Sequence, residues 1–332
     1  MRPISGSLLI LSRADVARLM DFPAYVDAVE AGFRAAASGH ALGPPATGFA
    51  VPGGSYHAKA AALLGDPDGM VAIKLNGNYP GNPAARGLPT IQGVIYLADA
   101  GDGRPLALMD SIEITINRTG AATALAARHL ARPGSCVATI CGAGVQGRIQ
   151  ARAIARVVRL DRMYIWDIRA EAAQALADEL SKELTFDIRP SAELAVARRS
   201  DVIVTCTSSR QAFLSPDLVR PGTFIAAVGA DNPDKQEIDP ALFACATVVV
   251  DSFEQCAEIG DLHHALTAGA IGREDVRASL AELVAGSKLG RCNAEEITLF
   301  DSTGLGLQDV AAAAAVYRRA LEAGIGERFT IN

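Results

Sequence analysis

The sequence predicts an α/β protein built on a doubly wound parallel sheet, and three observations carry that expectation. The first is an apolar, partly β-branched run, Val137-Ala138-Thr139-Ile140-Cys141, that breaks into Gly142-Ala143-Gly144-Val145-Gln146-Gly147 and continues with helical spacing. Glycines at this spacing between strand and helix permit a tight turn, a close backbone approach to a pyrophosphate, and close helix–strand packing. Backbone N–H groups and the helix dipole add positive potential at the same point. The second is Met163-Tyr164-Ile165-Trp166-Asp167, a further apolar run ending in an acid 20 positions after Gly147. A carboxylate at that distance accepts a ribose 2′-hydroxyl and repels a 2′-phosphate, which favours NAD(H); Arg169 close by leaves some tolerance for NADP(H). The third is strand–helix alternation from Cys136 onward. Strands are expected at 136–141, 162–167, 184–188, 201–207, 223–229 and 246–251, with helices at 145–158, 170–183 and 191–199. Together these describe a Rossmann domain.

The preceding segment reads differently. Ser12-Arg13-Ala14-Asp15 resembles a capping box with Asp in place of Glu or Gln. Residues 13–20 and 22–38 then carry apolar side chains at helical spacing. Gly39 to Gly54 is rich in Gly and Pro and reads as loop or irregular edge. Strands are expected over Ser55–Leu63, Met70–Leu75, Thr90–Ala98 and Pro105–Met109, with turns at Asp66-Pro67-Asp68-Gly69 and Ala100-Gly101-Asp102-Gly103. Short turns between strands imply an antiparallel sheet. A helix is expected over 111–130, and Pro133-Gly134 closes the segment. After residue 252 the chain reads as helical, with one apolar segment at Ile297–Phe300 and a last helix over 305–323. The expected division is an N-terminal α+β domain (1–130 with the C-terminal helix, 305–332) and a Rossmann domain (133–304).

Composition narrows the class. A chain of 332 residues, half of them hydrophobic, can bury the cores of two domains. A net charge of −6 with no basic run argues against nucleic acid as a partner. The cysteines at 136, 141, 206, 245, 256 and 292 form no C-x-x-C or Cys/His cluster. They read as reduced residues of a cytoplasmic protein, and no metal site is expected. The opening MRPISGSLLILSRADV is too short for a signal or anchor, and no later run spans a bilayer.

Several further runs carry a family resemblance. They are Ile73-Lys74-Leu75-Asn76, Asn82-Pro83, Gly87-Leu88-Pro89-Thr90-Ile91-Gln92-Gly93, Ala107-Leu108-Met109-Asp110 and Thr115-Ile116-Asn117-Arg118-Thr119-Gly120-Ala121. With GAGVQG, with Val228-Gly229-Ala230-Asp231-Asn232-Pro233-Asp234-Lys235-Gln236-Glu237 and with Asp301-Ser302-Thr303-Gly304, the chain resembles the ornithine cyclodeaminase/mu-crystallin family over nearly its whole length. The resemblance implies a homodimer formed through the N-terminal sheet domain, a nicotinamide cofactor, and chemistry at the carbon–nitrogen bond of a small amino or imino acid.

It also implies roles for single residues. Lys74 matches the family lysine that contacts the substrate carboxylate or α-imine. A lysine within Val71-Ala72-Ile73-x-Leu75 interrupts an apolar pattern, and an inward ammonium needs an anion. Asp231 follows the strand Phe224–Val228, at the carboxyl end where ligands collect in open α/β sheets, and matches the catalytic aspartate. Lys235 matches a cofactor contact. Arg118 matches an arginine whose fork suits a carboxylate or a pyrophosphate. Thr90 and Ser302 match positions near the nicotinamide, while Thr205, Thr207 and Val228 lie beside the expected cofactor path. One departure stands out: Ala46 or Thr47 occupies the place of the family's substrate-clamp arginine. His57 and Lys59, alternating on one face, are the expected replacements.

Three functions follow from the resemblance. One is an NAD(H)-dependent imine reductase or amino-acid dehydrogenase. The second is a cyclodeaminase that releases ammonia and forms a cyclic imino acid; it needs an acid for the distal amine, with Glu113 and Asp110 as candidates by position. The third is a non-enzymatic ligand binder, whose mark would be the loss of Lys74 or Asp231. Both are present.

Overall fold

The computed structural model describes residues 7–65 and 68–330, and it divides into two compact units, 1–121 with 305–332, and 122–304. The turn expected at 66–69 lies partly outside the described residues.

In the first unit, β1 (Ser7–Leu11) leads into α1 (Arg13–Leu19) and α2 (Phe22–Ala37). The capping box at Ser12 forms with both of its reciprocal bonds, so Asp does substitute for Glu there. The Gly/Pro-rich stretch is not all loop: it holds β2 (Ala41–Leu42) and β3 (Thr47–Val51). β4 (Gly54–Leu63), β5 (Met70–Asn78), α3 (Asn82–Arg86), β6 (Ile91–Asp99) and β7 (Pro105–Asp110) follow, then α4 (Ile112–Leu130), a helix that begins in this unit and ends in the next.

β2 and β3 pair with β4, and β4 through β7 pair antiparallel in succession, as expected. β1 joins β7 in parallel, and a final strand, Glu327–Thr330, pairs antiparallel with β1. Neither outer strand was expected, because Ser7–Leu11 is five residues long and its pairing partners are remote in sequence. Register sets the two faces of this sheet. Ala61, Ala72, Ile95, Leu97 and Met109 are buried on the face where α2 and the C-terminal helix, Gly306–Ala323, pack. Ile73, Leu75, Val94 and Phe49 lie on the opposite face and are 42–64% exposed.

The second unit holds a parallel sheet. β8 (Val137–Cys141), α5 (Val145–Val157), β9 (Arg162–Trp166), α6 (Ala170–Leu180) and β10 (Asp187–Ser191) form its first half. β11 (Val202–Thr205) returns beside β8, followed by β12 (Arg210–Leu214), β13 (Phe224–Ala227), β14 (Gln236–Ile238), α7 (Pro240–Cys245) and β15 (Ala246–Val250). α8 (Phe253–Ile259), α9 (Asp261–Thr267), β16 (Val276–Ser279), α10 (Leu280–Val284) and β17 (Ile297–Asp301) complete it. The strand order is β10-β9-β8-β11-β13-β17-β15-β16, and every pair is parallel.

The chain reverses direction across the sheet between β8 and β11, the crevice where this fold collects ligands. Two expectations are corrected. The segment after 252 is not helical throughout, since β16 forms the edge and β17 lies inside the sheet between β13 and β15. The stretch 191–199 makes only a 3₁₀ turn, Leu194–Arg199. None of the six cysteines forms a disulfide. Among the described residues no helix is long and apolar enough to cross a membrane.

Candidate active site

In the second unit, the loop after β8 carries the glycine motif in the form its spacing requires. Gly142 adopts φ +112, a conformation closed to other residues, and a Cβ there would meet the Cys206 carbonyl at 2.9 Å. A Cβ on Gly147 would run into the Gly142 carbonyl oxygen. Gly144 differs: a Cβ there would meet nothing within 4 Å, so the backbone borders open space. Gly144 is also the N-cap of α5 and makes no side-chain cap. The first N–H groups of a helix have no intrahelical partner, so Val145, Gln146 and Gly147 turn donors and positive potential toward that space. A dinucleotide pyrophosphate has the charge and acceptors that this cradle lacks.

Asp167 ends β9 beside it. Its Oδ2 accepts from Ala143 N at 2.8 Å and its Oδ1 from Arg169 N at 2.9 Å. The carboxylate is thus held against the loop, 12% exposed, where a ribose hydroxyl can approach it. Asp167 does not cap α6; that helix begins at Arg169 without a side-chain cap. Arg169 itself is 67% exposed and 3.7 Å from Asp167.

At the carboxyl ends of β11 and β13 a buried acid organises the loops. Glu237 Oε1 accepts from Thr207 N at 2.5 Å and Thr207 Oγ1 at 2.7 Å, while its Oε2 accepts from Gly229 N at 3.0 Å. Burial pushes its carboxyl up in spite of these donors. A Glu after Gln236 on a short strand carries no local signal of burial, so the sequence alone assigns Glu237 no role. Thr205, also fully buried, points toward Glu237, and Val228 is 9% exposed. Ser302 is likewise buried and donates to Asp251 Oδ2 at 3.1 Å. Asp231 lies at the rim, its side chain 49% exposed, and receives Lys235 Nζ at 2.7 Å. Lys235 also donates to the Gly229 carbonyl at 3.2 Å, so its ammonium braces the Asp231 loop.

The first unit holds the other cluster. Lys74 is 3% exposed on the face of β5 covered by the C-terminal helix. The anion it requires comes from the chain itself: Asp309 Oδ2 lies 2.7 Å from Lys74 Nζ. Arg118 Nε donates to Asp309 Oδ1 at 3.0 Å, and Arg118 Nη1 donates to Gln308 Oε1 at 2.8 Å. Burial draws the Lys74 ammonium down to about 7, with Asp309 opposing that fall and Arg118 and Lys59 adding to it. Burial raises the Asp309 carboxyl, but Lys74 and Arg118 outweigh it and hold the group below its usual range.

Asp309 was missed. Its signal was present, an acid between Leu307 and Val310 on an apolar helix, but which lysine it would meet depends on packing. Arg118 is 5% exposed and paired with Asp309 and Gln308 of the C-terminal helix.

Lys59 stands directly opposite Lys74 across the β4–β5 ladder and His57 opposite Asn76, so both share the covered face with Lys74. His57 Nε2 lies 3.0 Å from Ser55 Oγ. Of Ala46 and Thr47, the two candidates for the place of the missing arginine, Thr47 pairs with Ala58 and belongs to the other face. The β3 residue beside His57 is Gly48, whose Cβ would meet the His57 ring at 2.9 Å. Thr90 stands just before β6, its carbonyl accepting from Tyr79 N at 2.7 Å. Of the two candidates for a distal amine, Asp110 lies on the face opposite Lys74. Glu113 is paired with Arg13 at 2.6 Å, and Asp110 lies in register with Val94 on the exposed face. Among the described residues no group of His, Cys, Asp and Glu could hold a metal ion.

Comparison with known proteins agrees with this arrangement. Residues 7–324 match the family model described as the ornithine cyclodeaminase/mu-crystallin family. The chain is 39% identical to the alanine dehydrogenase of Archaeoglobus fulgidus, over 96% of this chain and 97% of that protein. An archaeal alanine dehydrogenase dimer solved with bound NAD superposes with a TM-score of 0.93 at 37% identity, covering 98% of this chain and 100% of the other. The Δ1-pyrroline-2-carboxylate reductase of Thermococcus litoralis, solved with NADH and L-proline, gives 0.91 at 35% identity, covering 96% and 99%. The fold is therefore that of the NAD-binding members, and the chain belongs to the ornithine cyclodeaminase/mu-crystallin family.

Proposed function

We propose that the protein is an NAD(H)-dependent enzyme acting on the carbon–nitrogen bond of a small amino or imino acid, as an imine reductase or amino-acid dehydrogenase. The observation that carries this reading is Lys74: a buried ammonium, braced by Asp309, on the sheet face covered by the C-terminal helix. Such a group contributes little to stability and is retained for what it binds. An ammonium has three donors and Asp309 engages one, which leaves donors for a substrate carboxylate or imine nitrogen. Lys59, in register beside it, adds a second positive charge in place of the absent clamp arginine.

In the second unit Gly142 to Gly147 would hold the pyrophosphate and Asp167 the adenosine ribose, which favours NAD(H) over NADP(H). The chemistry a nicotinamide held there would supply is hydride transfer at the α-carbon of the imine. Asp231 is the group that exchanges a proton with the substrate nitrogen, and its exposure at the rim together with its contact to Lys235 suits that task. The protein's own contribution is chiefly orientation and charge.

The place of Asp110 on the opposite face and the pairing of Glu113 with Arg13 weigh against the cyclodeaminase reading, since both candidate acids for a distal amine are engaged or placed elsewhere. The exposed apolar face of the first unit (Ile73, Leu75, Val94 and Phe49) supports a homodimer formed through that sheet. Light scattering on a sizing column giving a monomer would refute the dimer.

The enzymatic reading is tested by absorbance at 340 nm with NADH, ammonia and a panel of 2-oxo acids and cyclic imines. Oxidation of NADH by one of them supports it. A flat trace, with ammonia released instead from L-ornithine or L-lysine in the presence of NAD⁺, would overturn it in favour of the cyclodeaminase.

A further inference from the structure

Buried ion pairs are expensive, and this one is unusually crowded. Lys59 and Lys74 face each other directly across two antiparallel strands, an arrangement that repels. Arg118, from α4, brings a third cation to the same place. Asp309, from the C-terminal helix, is fully buried and divides its two oxygens between Lys74 at 2.7 Å and Arg118 at 3.0 Å. Gln308, the preceding residue, takes the next nitrogen of Arg118 at 2.8 Å, so consecutive side chains of one helix hold the guanidinium fork from two directions. Buried apolar residues flank the cluster, Ile95 and Leu97 on the sheet and Val310, Ala312, Ala313 and Ala314 on the helix. Apolar residues of similar volume would serve packing there at least as well, so stability does not account for the ion cluster. Four elements instead converge to place one ammonium.

We propose that Asp309 is a positioning residue for the substrate-contacting lysine: it touches no substrate, but fixes where the Lys74 ammonium sits and supplies the counter-charge that keeps it a cation. The proposal rests on the reading of Lys74 as the substrate contact. Asp309 stands early in its helix, where a carboxylate is itself favoured by the helix dipole, so it stays ionised while serving two cations. The charged and titratable groups bearing on Lys74 are Asp309 from the helix, Arg118 from α4, and Lys59 with His57 on the neighbouring strand. Of these, Asp309 alone favours the protonated form. The sign of its removal follows. Lys74, already drawn down to about 7 by burial, loses its proton at still lower pH once the carboxylate is neutral.

The test is Asp309→Asn, which keeps the shape and an acceptor for Arg118 but removes the charge. The KM for the imino acid rises by about 10-fold or more at pH 8, and the deficit narrows toward pH 6, since each unit of displacement is a factor of about ten. The kcat at saturation and the NADH dissociation constant stay within about 3-fold of the parent, because neither involves carboxylate capture. In protein labelled with ¹³Cε-lysine, the Lys74 resonance, assigned by its absence in Lys74→Arg, titrates at lower pH in the Asn variant. Asp309→Glu, which restores the charge, returns the KM–pH profile toward that of the parent; a purely structural role would show no such rescue.

An Asn variant that folds with the parent's KM–pH profile, or with an unmoved Lys74 titration, overturns the proposal. Should Asp309→Asn fail to fold, Asp309→Ser removes the charge in a smaller side chain. A defect in KM alone with a shifted Lys74 titration then supports the proposal, and parental values of both overturn it. A Lys74→Ala variant with unchanged KM would instead refute Lys74 as the substrate contact, while the labelled-lysine titration still decides whether Asp309 governs Lys74.

Discussion

The glycines of the β8–α5 loop separate folding from ligand binding, and a pair of substitutions exploits the difference. In Gly147→Ala the new Cβ overlaps the Gly142 carbonyl oxygen, lies 3.0 Å from the carbonyl carbon, and meets Leu176 Cδ2 at 3.5 Å. The obstacle is backbone, which cannot rotate aside, so α5 must shift away from β8. Overpacking of this kind costs about 1–3 kcal/mol. In Gly144→Ala the new Cβ meets nothing within 4 Å, and the backbone there, φ −79, ψ −163, is open to any residue. Folding therefore leaves this variant unharmed.

The methyl of Gly144→Ala does, however, occupy the space where a pyrophosphate must approach. Losing two charge-assisted hydrogen bonds at about 1.5 kcal/mol each weakens NADH binding by about 3 kcal/mol, on the order of 150-fold. Thermal unfolding followed by circular dichroism, beside NADH titration by nicotinamide fluorescence, reads both quantities. The expected result is an unchanged Tm with lost NADH affinity for Gly144→Ala, and loss of both for Gly147→Ala. A Gly144→Ala variant that binds NADH like the parent would refute the placement of the pyrophosphate at this cradle.

Three further outcomes follow. Asp167→Ser removes the acceptor for the ribose hydroxyl and the repulsion of a 2′-phosphate, so NADH affinity falls about 10-fold and NADPH affinity rises, which parallel titrations with the two cofactors read. In the parent enzyme, the KM for the imino acid is expected to be flat below pH 7 and to rise as pH increases through about 7, because Lys74 loses its positive charge there; a flat profile to pH 9 would remove Lys74 from carboxylate binding. Lys59→Ala, deleting the in-register neighbour of Lys74, raises the KM for the imino acid about 10-fold with little change in kcat. An unchanged KM would show that Lys59 does not replace the clamp arginine.

Much of the second unit is decided by short-range physics and was legible in the chain. Gly142 needs a positive φ, Gly147 tolerates no Cβ, and Asp167 follows a strand that a helix separates from the first. Each is a local requirement, and local requirements leave a residue-type signature. The capping box at Ser12 and the succession from β4 to β7 were readable for the same reason.

What stayed hidden is long-range. The parallel pairing of β1 with β7 and the place of β17 inside the sheet join segments far apart in sequence, and no pattern within either strand names its partner. The same holds for charge. That Lys74 is buried could be suspected from its apolar neighbours, but its counter-ion is Asp309, 235 positions later, and only the packing of the C-terminal helix on the sheet brings them to 2.7 Å. Arg118 and Ser302 carry the residue types of ligand contacts, and their partners Asp309 and Asp251 are likewise set by tertiary structure. Periodicity and turn chemistry thus determined the elements and the dinucleotide cradle, whereas the partner of each buried charge was settled by which faces came together. Desolvation acts on whatever a side chain meets in space, and sequence order does not encode that meeting.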